Sequence, residues 1–145
     1  MDDVLLNKAA IIERCLERID EEYRGHEHEL ADNHTRQDAI VLNLLRACEA
    51  AIDAAMHVVR VARLGIPQRS RDAFEMMFDA KLLDATLNTR LQAMVGFRNI
   101  AIHRYREIEL PILRAILEQR LDDLRSFAGR LVELAGNIPG QADPG

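Results

Sequence analysis

Within the segment Phe97-Arg98-Asn99-Ile100-Ala101-Ile102-His103-Arg104-Tyr105 the chain carries a guanidinium, an amide, an imidazole and a phenol. A guanidinium stays protonated and makes forked hydrogen bonds to phosphate that an ammonium cannot match. An imidazole exchanges protons near neutral pH. The amide of Asn99 can hold an imidazole or a phosphate oxygen, and the phenol of Tyr105 can accept a covalent modification. Together these groups can bind a phosphate, move a proton and take a modification. Most of the remaining residues read as scaffold.

Four long helical patterns and one short one must position them. Val4, Ile11, Ile12, Cys15, Leu16, Ile19 and Tyr23 recur at helical spacing from about Asp3. A polar loop follows from Arg24 to His34, and Thr35 with Asp38 has the form of a capping box for the second helix. That helix carries Val41, Leu44, Leu45, Cys48, Ile52, Ala55 and Val59, and stops near Leu64-Gly65-Ile66-Pro67. Ser70 is the expected cap of a short third helix bearing Phe74, Met77 and Phe78. The fourth runs from about Asp84 to Arg104 and contains the motif. Pro111 opens a fifth, whose Leu113, Ile116, Leu117, Leu121, Leu124, Leu131 and Leu134 extend to about Ala135. Residues 1–136 thus form one helical unit, and 137–145 a flexible tail. No strand pattern and no internal repeat is present, so the expected fold is all-α, an antiparallel bundle of four to five helices.

Each residue of a helix advances by about 100°, which sorts the motif by direction. Arg98 and Tyr105 then share a face, and Asn99 lies one turn beneath His103 on an adjoining one. Met94, Phe97, Ile100 and Ala101 form the stripe expected to face the core. Leu91, Val95 and Ile102 fall on the polar side, which points to a second copy packed along this helix. Arg98 and His103 diverge by about 140° on a straight helix, so they meet only through the long arginine reach, a distorted helix end or a twofold mate.

Composition limits the alternatives. With 48% hydrophobic and 30% charged residues the chain can bury a core and face water, and with 4% aromatics and no Trp that core is aliphatic. No apolar run approaches the ~20 residues of a membrane span, and the acidic start Met1-Asp2-Asp3 does not resemble a signal peptide, so a cytoplasmic location is expected. A net charge of −5 speaks against an indiscriminate nucleic-acid coat, while 17 arginines against 2 lysines leave room for a local phosphate pocket. Cys15 and Cys48 read as buried free thiols. His26-Glu27-His28 with His34 lacks a complete metal-ligand set, so no metal and no cofactor is expected. His57 reads as structural or interfacial, and Arg60, Arg63, Arg69 and Arg71 as a solvated basic patch, with RNA or partner docking as the alternative.

The pattern Arg98…His103-x-Tyr105 resembles the R-x4-H signature of HEPN-domain ribonucleases and, with its tyrosine, the HepT toxin family. Asn99 stands in the usual place after the arginine. The likeness extends through Gln37-Asp38…Asn43-Leu44…Glu49 and Gly65-Ile66-Pro67-Gln68…Arg71-Asp72-Ala73-Phe74. Arg104 occupies the variable position between His and Tyr. The resemblance implies an all-α HEPN bundle that dimerises through the motif-bearing helix and cuts RNA without metal. It also implies a cognate MNT-type nucleotidyltransferase antitoxin that transfers AMP onto Tyr105, joined with the toxin in a larger hetero-oligomer.

On that reading Arg98 stabilises the phosphorane, His103 serves as base or acid, Asn99 supports them, and Arg104 and Arg106 are candidate RNA contacts. The expected products are a 2′,3′-cyclic phosphate and a 5′-hydroxyl. The alternative is a non-catalytic HEPN-like substrate-binding or adaptor partner of a nucleotidyltransferase, a class that lacks the complete motif.

Overall fold

Two helices occupy most of residues 1–61 in the computed structural model, which describes residues 1–138: α1, Asp3–Tyr23, and α2, His34–Val61. The Asp2 carboxylate accepts from the Leu5 amide at 3.1 Å and closes the first turn of α1. Leu5, Ile12, Leu16 and Ile19 face inward; Val4, expected on that stripe, is exposed because Leu5 holds the inward register. The chain then makes a short 3-10 turn, Glu27–Glu29, where a plain loop was expected, and this turn delivers Asn33 to the start of α2. The Asn33 side chain accepts from the Arg36 amide at 3.0 Å, so the cap lies two residues before Thr35. The Thr35–Asp38 capping box therefore does not form, and Asp38 finds another partner.

α2 ends where Arg63 (φ 56°) and Gly65 (φ 132°) reverse the chain. A side chain at Gly65 would be strained by that φ, and its Cβ would stand 3.2 Å from Met76 Cε. α3 spans Ser70–Asp79, and its cap also differs from the expected one. Asp72, inside the helix, accepts from the Gln68 and Arg69 amides at 3.0 Å each, leaving the Ser70 hydroxyl for α4. Asp84 caps α4, Ala85–His103, by accepting from Leu87 at 2.7 Å.

The single fifth helix expected from Pro111 to Ala135 is two. α5 spans Leu110–Gln119 and α6 spans Leu121–Gly136, separated by Arg120 at φ −121°, ψ −5°. Asp122 and Asp123 then sit in the first turn of α6, where the helix dipole favours acids. Asp123 is buried and meets Arg90 of α4 at 3.3 Å, which ties the break to the motif helix.

α2 is the central element, with α1, α3, α4 and α6 packed against it. The core is aliphatic as expected, with one aromatic contact between Phe74 of α3 and Phe127 of α6, centroids 5.6 Å apart and edge-on. The leucines of α5 and α6 at 113, 117, 124, 131 and 134 are buried in it. Cys15 and Cys48 are buried free thiols, and burial pushes the Cys48 thiol up to about 12, far from thiolate reactivity. Of the expected tail, Ile138 is buried on the core and 139–145 lie outside the described residues. Among the described residues no helix is long and apolar enough to cross a membrane.

The start of α1 and the last turn of α6 meet at Asp2. Its amide donates to Ala135 O at 2.8 Å, and its carboxylate meets His57 Nε2 at 2.7 Å. Burial alone would raise the Asp2 carboxyl, but the His57 contact and the Leu5 amide outweigh it and hold it below its ordinary value. A depressed carboxyl adds stability above its unfolded value and loses it as pH falls through the folded one. Asp2→Ala is therefore expected to cost about 1 kcal/mol in denaturant unfolding near neutral pH, with the gap to the parent narrowing below pH 3.8. A gap that stays constant down the acid limb would contradict this.

Candidate functional site

α4 is buried along the side that carries Arg98. Leu91, Met94, Val95 and Ala101 all project within about 60° of it, and all four are buried. This corrects the direction expected for the helix: Leu91 and Val95 lie inside the chain's own core, whereas Ile100, expected in the core, is 40% exposed. The cause is that α4 packs against α2, α3 and α6, so its buried arc is wider than a single stripe and is centred elsewhere. Leu91 and Val95 thus cannot support a second copy; the large exposed apolar residues of α4 are Ile100 and Ile102.

A guanidinium taken largely out of water needs partners. The Arg98 side chain keeps 17% of its exposure, with Nε 3.3 Å from Glu49 Oε1 on α2. Its Nη2 donates to Ser70 Oγ at 3.0 Å, at the first residue of α3. Beside it, Gly96 presents bare backbone on which Arg71 rests: a Cβ there would stand 2.7 Å from Arg71 Nη2. Two cations therefore lie against the motif helix, and Arg71, read from sequence as part of a solvated patch, is one of them. The missing side chain at Gly96 is the only sequence signal for it.

His103 is the last residue of α4 and is exposed, as is Asn99 one turn beneath it. Arg98 finds its partners in Glu49 and Ser70 rather than in His103. Within one chain the structure thus separates an inward guanidinium from an outward imidazole, consistent with their divergent helical directions.

Tyr105 does not continue the α4 spiral. Arg104 leaves the helix at φ −142°, ψ 53°, and Tyr105 begins a short 3-10 turn, Tyr105–Glu107. The expected shared face with Arg98 is lost. The Tyr105 hydroxyl instead donates to Asp38 Oδ1 near the start of α2, the carboxylate freed by the Asn33 cap. Burial first, and then this carboxylate, push the phenol up to about 12. Glu49 and Asp38 lie about 16 Å apart along α2 at 1.5 Å per residue, so they hold opposite ends of the motif. Tyr105, Asp38 and Arg106 line one cleft of about 480 Å3. Arg104 is exposed, with Nε 3.6 Å from Glu107.

The remaining candidates are structural. His26 Nδ1 meets Glu29 at 2.7 Å, and His57 is held between Asp2 and Arg60. Among the described residues no three His, Cys, Asp or Glu groups cluster to hold a metal ion. An apolar groove of about 680 Å3 runs between α4 and α5, lined by Met94, Phe97, Ile100, Ile112 and Ile116, with Ile112 51% exposed.

Comparison with known proteins is concordant. The family model for HepT-like ribonucleases matches residues 12–131. The chain is 42% identical over 127 residues to an mRNA nuclease HepT of Shewanella oneidensis, covering 88% of this chain and 95% of that one. It superposes with a TM-score of 0.87 on the tri-AMPylated Shewanella oneidensis HEPN toxin in complex with MNT antitoxin, at 41% identity, over 92% of this chain and 99% of that one. A toxin–antitoxin structure with AMP-PNP gives a TM-score of 0.85 at 40% identity, over 90% and 99%.

The Asp38 contact has a spectroscopic consequence. In a Tyr23→Phe background, which leaves one phenol, ultraviolet titration is expected to show Tyr105 ionising well above free tyrosine. Asp38→Asn removes the neighbouring negative charge and is expected to shift ionisation to lower pH. An unmoved titration would exclude the contact.

Proposed function

Because the chain belongs to the HepT-like ribonuclease family, we propose that it is a metal-independent endoribonuclease toxin, neutralised by a cognate nucleotidyltransferase. The observation that carries this reading is the complete Arg98…His103-x-Tyr105 signature in a chain 42% identical to an mRNA nuclease. Residues 1–136 form the catalytic unit, and the toxin acts in the cytoplasm on RNA.

The chemistry follows from the side chains. His103 of one subunit takes the 2′-hydroxyl proton, and the freed oxygen attacks the adjacent phosphorus. Arg98 balances the charge gathering on the phosphorane oxygens. The departing 5′-oxygen takes a proton from the other subunit's imidazole, leaving a 2′,3′-cyclic phosphate and a 5′-hydroxyl. Asn99, one turn beneath His103, supports the ring, and Arg104 and Arg106 contact the RNA strand. Net acidity keeps recognition local to this pocket.

Two copies are part of the proposal because the inward guanidinium and outward imidazole of one chain diverge. The support is the apolar groove beside the motif helix and the exposure of Ile100, Ile102 and Ile112. Such a patch gains by leaving water, at about 25 cal/mol per Å2.

The AMPylated toxin of Shewanella oneidensis, seen with its MNT antitoxin, supports the same mode of neutralisation here, with Tyr105 as acceptor. An AMP on Tyr105 adds bulk and negative charge two residues from His103, at the edge where RNA phosphate must enter. Toxin and nucleotidyltransferase would then form a hetero-oligomer.

His103→Ala and Arg98→Ala are each expected to lower RNA cleavage by about 100-fold or more, with the parent's rate unchanged by EDTA. Undiminished cutting by either variant would remove that residue from the chemistry, and loss with chelator would refute metal independence. Ile112→Glu places a charge on the exposed groove and is expected to give monomers by light scattering, with cleavage lost in parallel. A monomeric parent, or an active monomeric variant, would refute the two-subunit site.

A further inference from the structure

We propose that Asp38 is the proton acceptor for nucleotidyl transfer onto Tyr105, a catalytic residue that the toxin itself supplies to its own modification. The inference rests on the reading of Tyr105 as the modified residue and goes beyond it by assigning the base.

The geometry singles out this carboxylate. Asp38 reads from sequence as part of a helix cap, yet Asn33 caps α2 and Asp38 accepts the Tyr105 hydroxyl instead. The two residues are far apart in the chain and meet only because the 3-10 turn after α4 brings Tyr105 back to α2. Asp38 is held on the long central helix, so its position does not depend on the loop that presents the phenol. Both residues line an open cleft of about 480 Å3, within the range of small-molecule sites. Arg106 lies on the same wall and supplies a cation for a phosphate entering there.

The chemistry needs such a group. A phenol attacks phosphorus poorly while it keeps its proton. Here burial and the adjoining negative charge push the Tyr105 phenol up to about 12, so no standing phenolate is available at neutral pH. The proton must therefore leave as the new bond forms, to a base already in contact. A lone pair on Tyr105 Oη forms the bond to the α-phosphorus of ATP, supplied by the partner nucleotidyltransferase. The bond from that phosphorus to the bridging oxygen breaks, and pyrophosphate leaves with the electron pair. The Oη proton passes to the Asp38 carboxylate and then to solvent. The products are a tyrosyl-AMP ester and pyrophosphate.

The test uses the full chain with purified partner nucleotidyltransferase, magnesium and ATP, following addition of AMP by intact mass. Asp38→Asn keeps the shape but cannot take the proton, and is expected to slow the first addition by about 100-fold at saturating partner, with the KM for partner unchanged. Asp38→Glu is expected to recover part of the rate. RNA cleavage without partner, and the melting temperature, are expected to match the parent in both variants. Modification of Asp38→Asn at the parental rate would overturn the assignment, and so would an Asp38→Asn chain that melts early or no longer cuts RNA, since the role would then be structural. If Tyr105→Phe takes up AMP as the parent does, or the parent takes up none, the reading of Tyr105 as acceptor fails and this inference with it. Tyr105-dependent labelling that ignores Asp38 removes the inference alone.

Discussion

The arrangement depends on one constraint: a guanidinium buried at the junction of three helices must be met by polar partners. Removing the charge of Arg98 from water costs several kcal/mol unless it is paired, and Glu49 and Ser70 provide the pairing. Those partners come from α2 and α3, so the pairing fits the rotation that α4 takes in packing against α2, α3 and α6. Once that rotation is set, Leu91 and Val95 must enter the core, and Asn99, Ile100 and His103 must face out. The outward imidazole thus accompanies the inward cation.

α2 acts as a rail bearing two carboxylates, one for each end of the motif. Glu49 holds the permanent cation, and Asp38 holds the neutral phenol. These contacts have opposite electrostatic character. A carboxylate beside a guanidinium stabilises charge already present, whereas one beside a phenol opposes the charge that ionisation would create. The first favours a side chain that stays charged. The second keeps the hydroxyl protonated at neutral pH.

Much of this was legible before any coordinates. The helical spacing of α1 to α4, the buried cysteines, the leucines of α5 and α6, and the motif itself all follow from residue types and periods. The rotation of α4 did not, because Ile100 and Ile102 lie on its exposed side while Asn88 and Arg98 lie on its inward side, which blurs the polar face. The break at Arg120 carries no glycine or proline; its one signal is the pair Asp122-Asp123, which suits a helix start but also suits an exposed face. Asn33 and Thr35 are comparable caps, and the choice between them was made by the turn at Glu27–Glu29. That choice mattered, since it released Asp38 for a contact across 67 residues that no local pattern could announce.

Anchoring Arg98 leaves part of its fork open. A guanidinium has five donors in one plane; here Nη2 donates to Ser70, while Nε lies buried 3.3 Å from Glu49 without forming a hydrogen bond. Glu49 then has a second effect: it restrains the cation, so much of the side chain's rotamer freedom is already lost in the folded chain. His103 differs, being exposed at a helix end, and among the described residues no hydrogen bond or ion pair holds its ring. One chain therefore presents a cation preset by its own neighbours and an imidazole set apart from it at an exposed helix end.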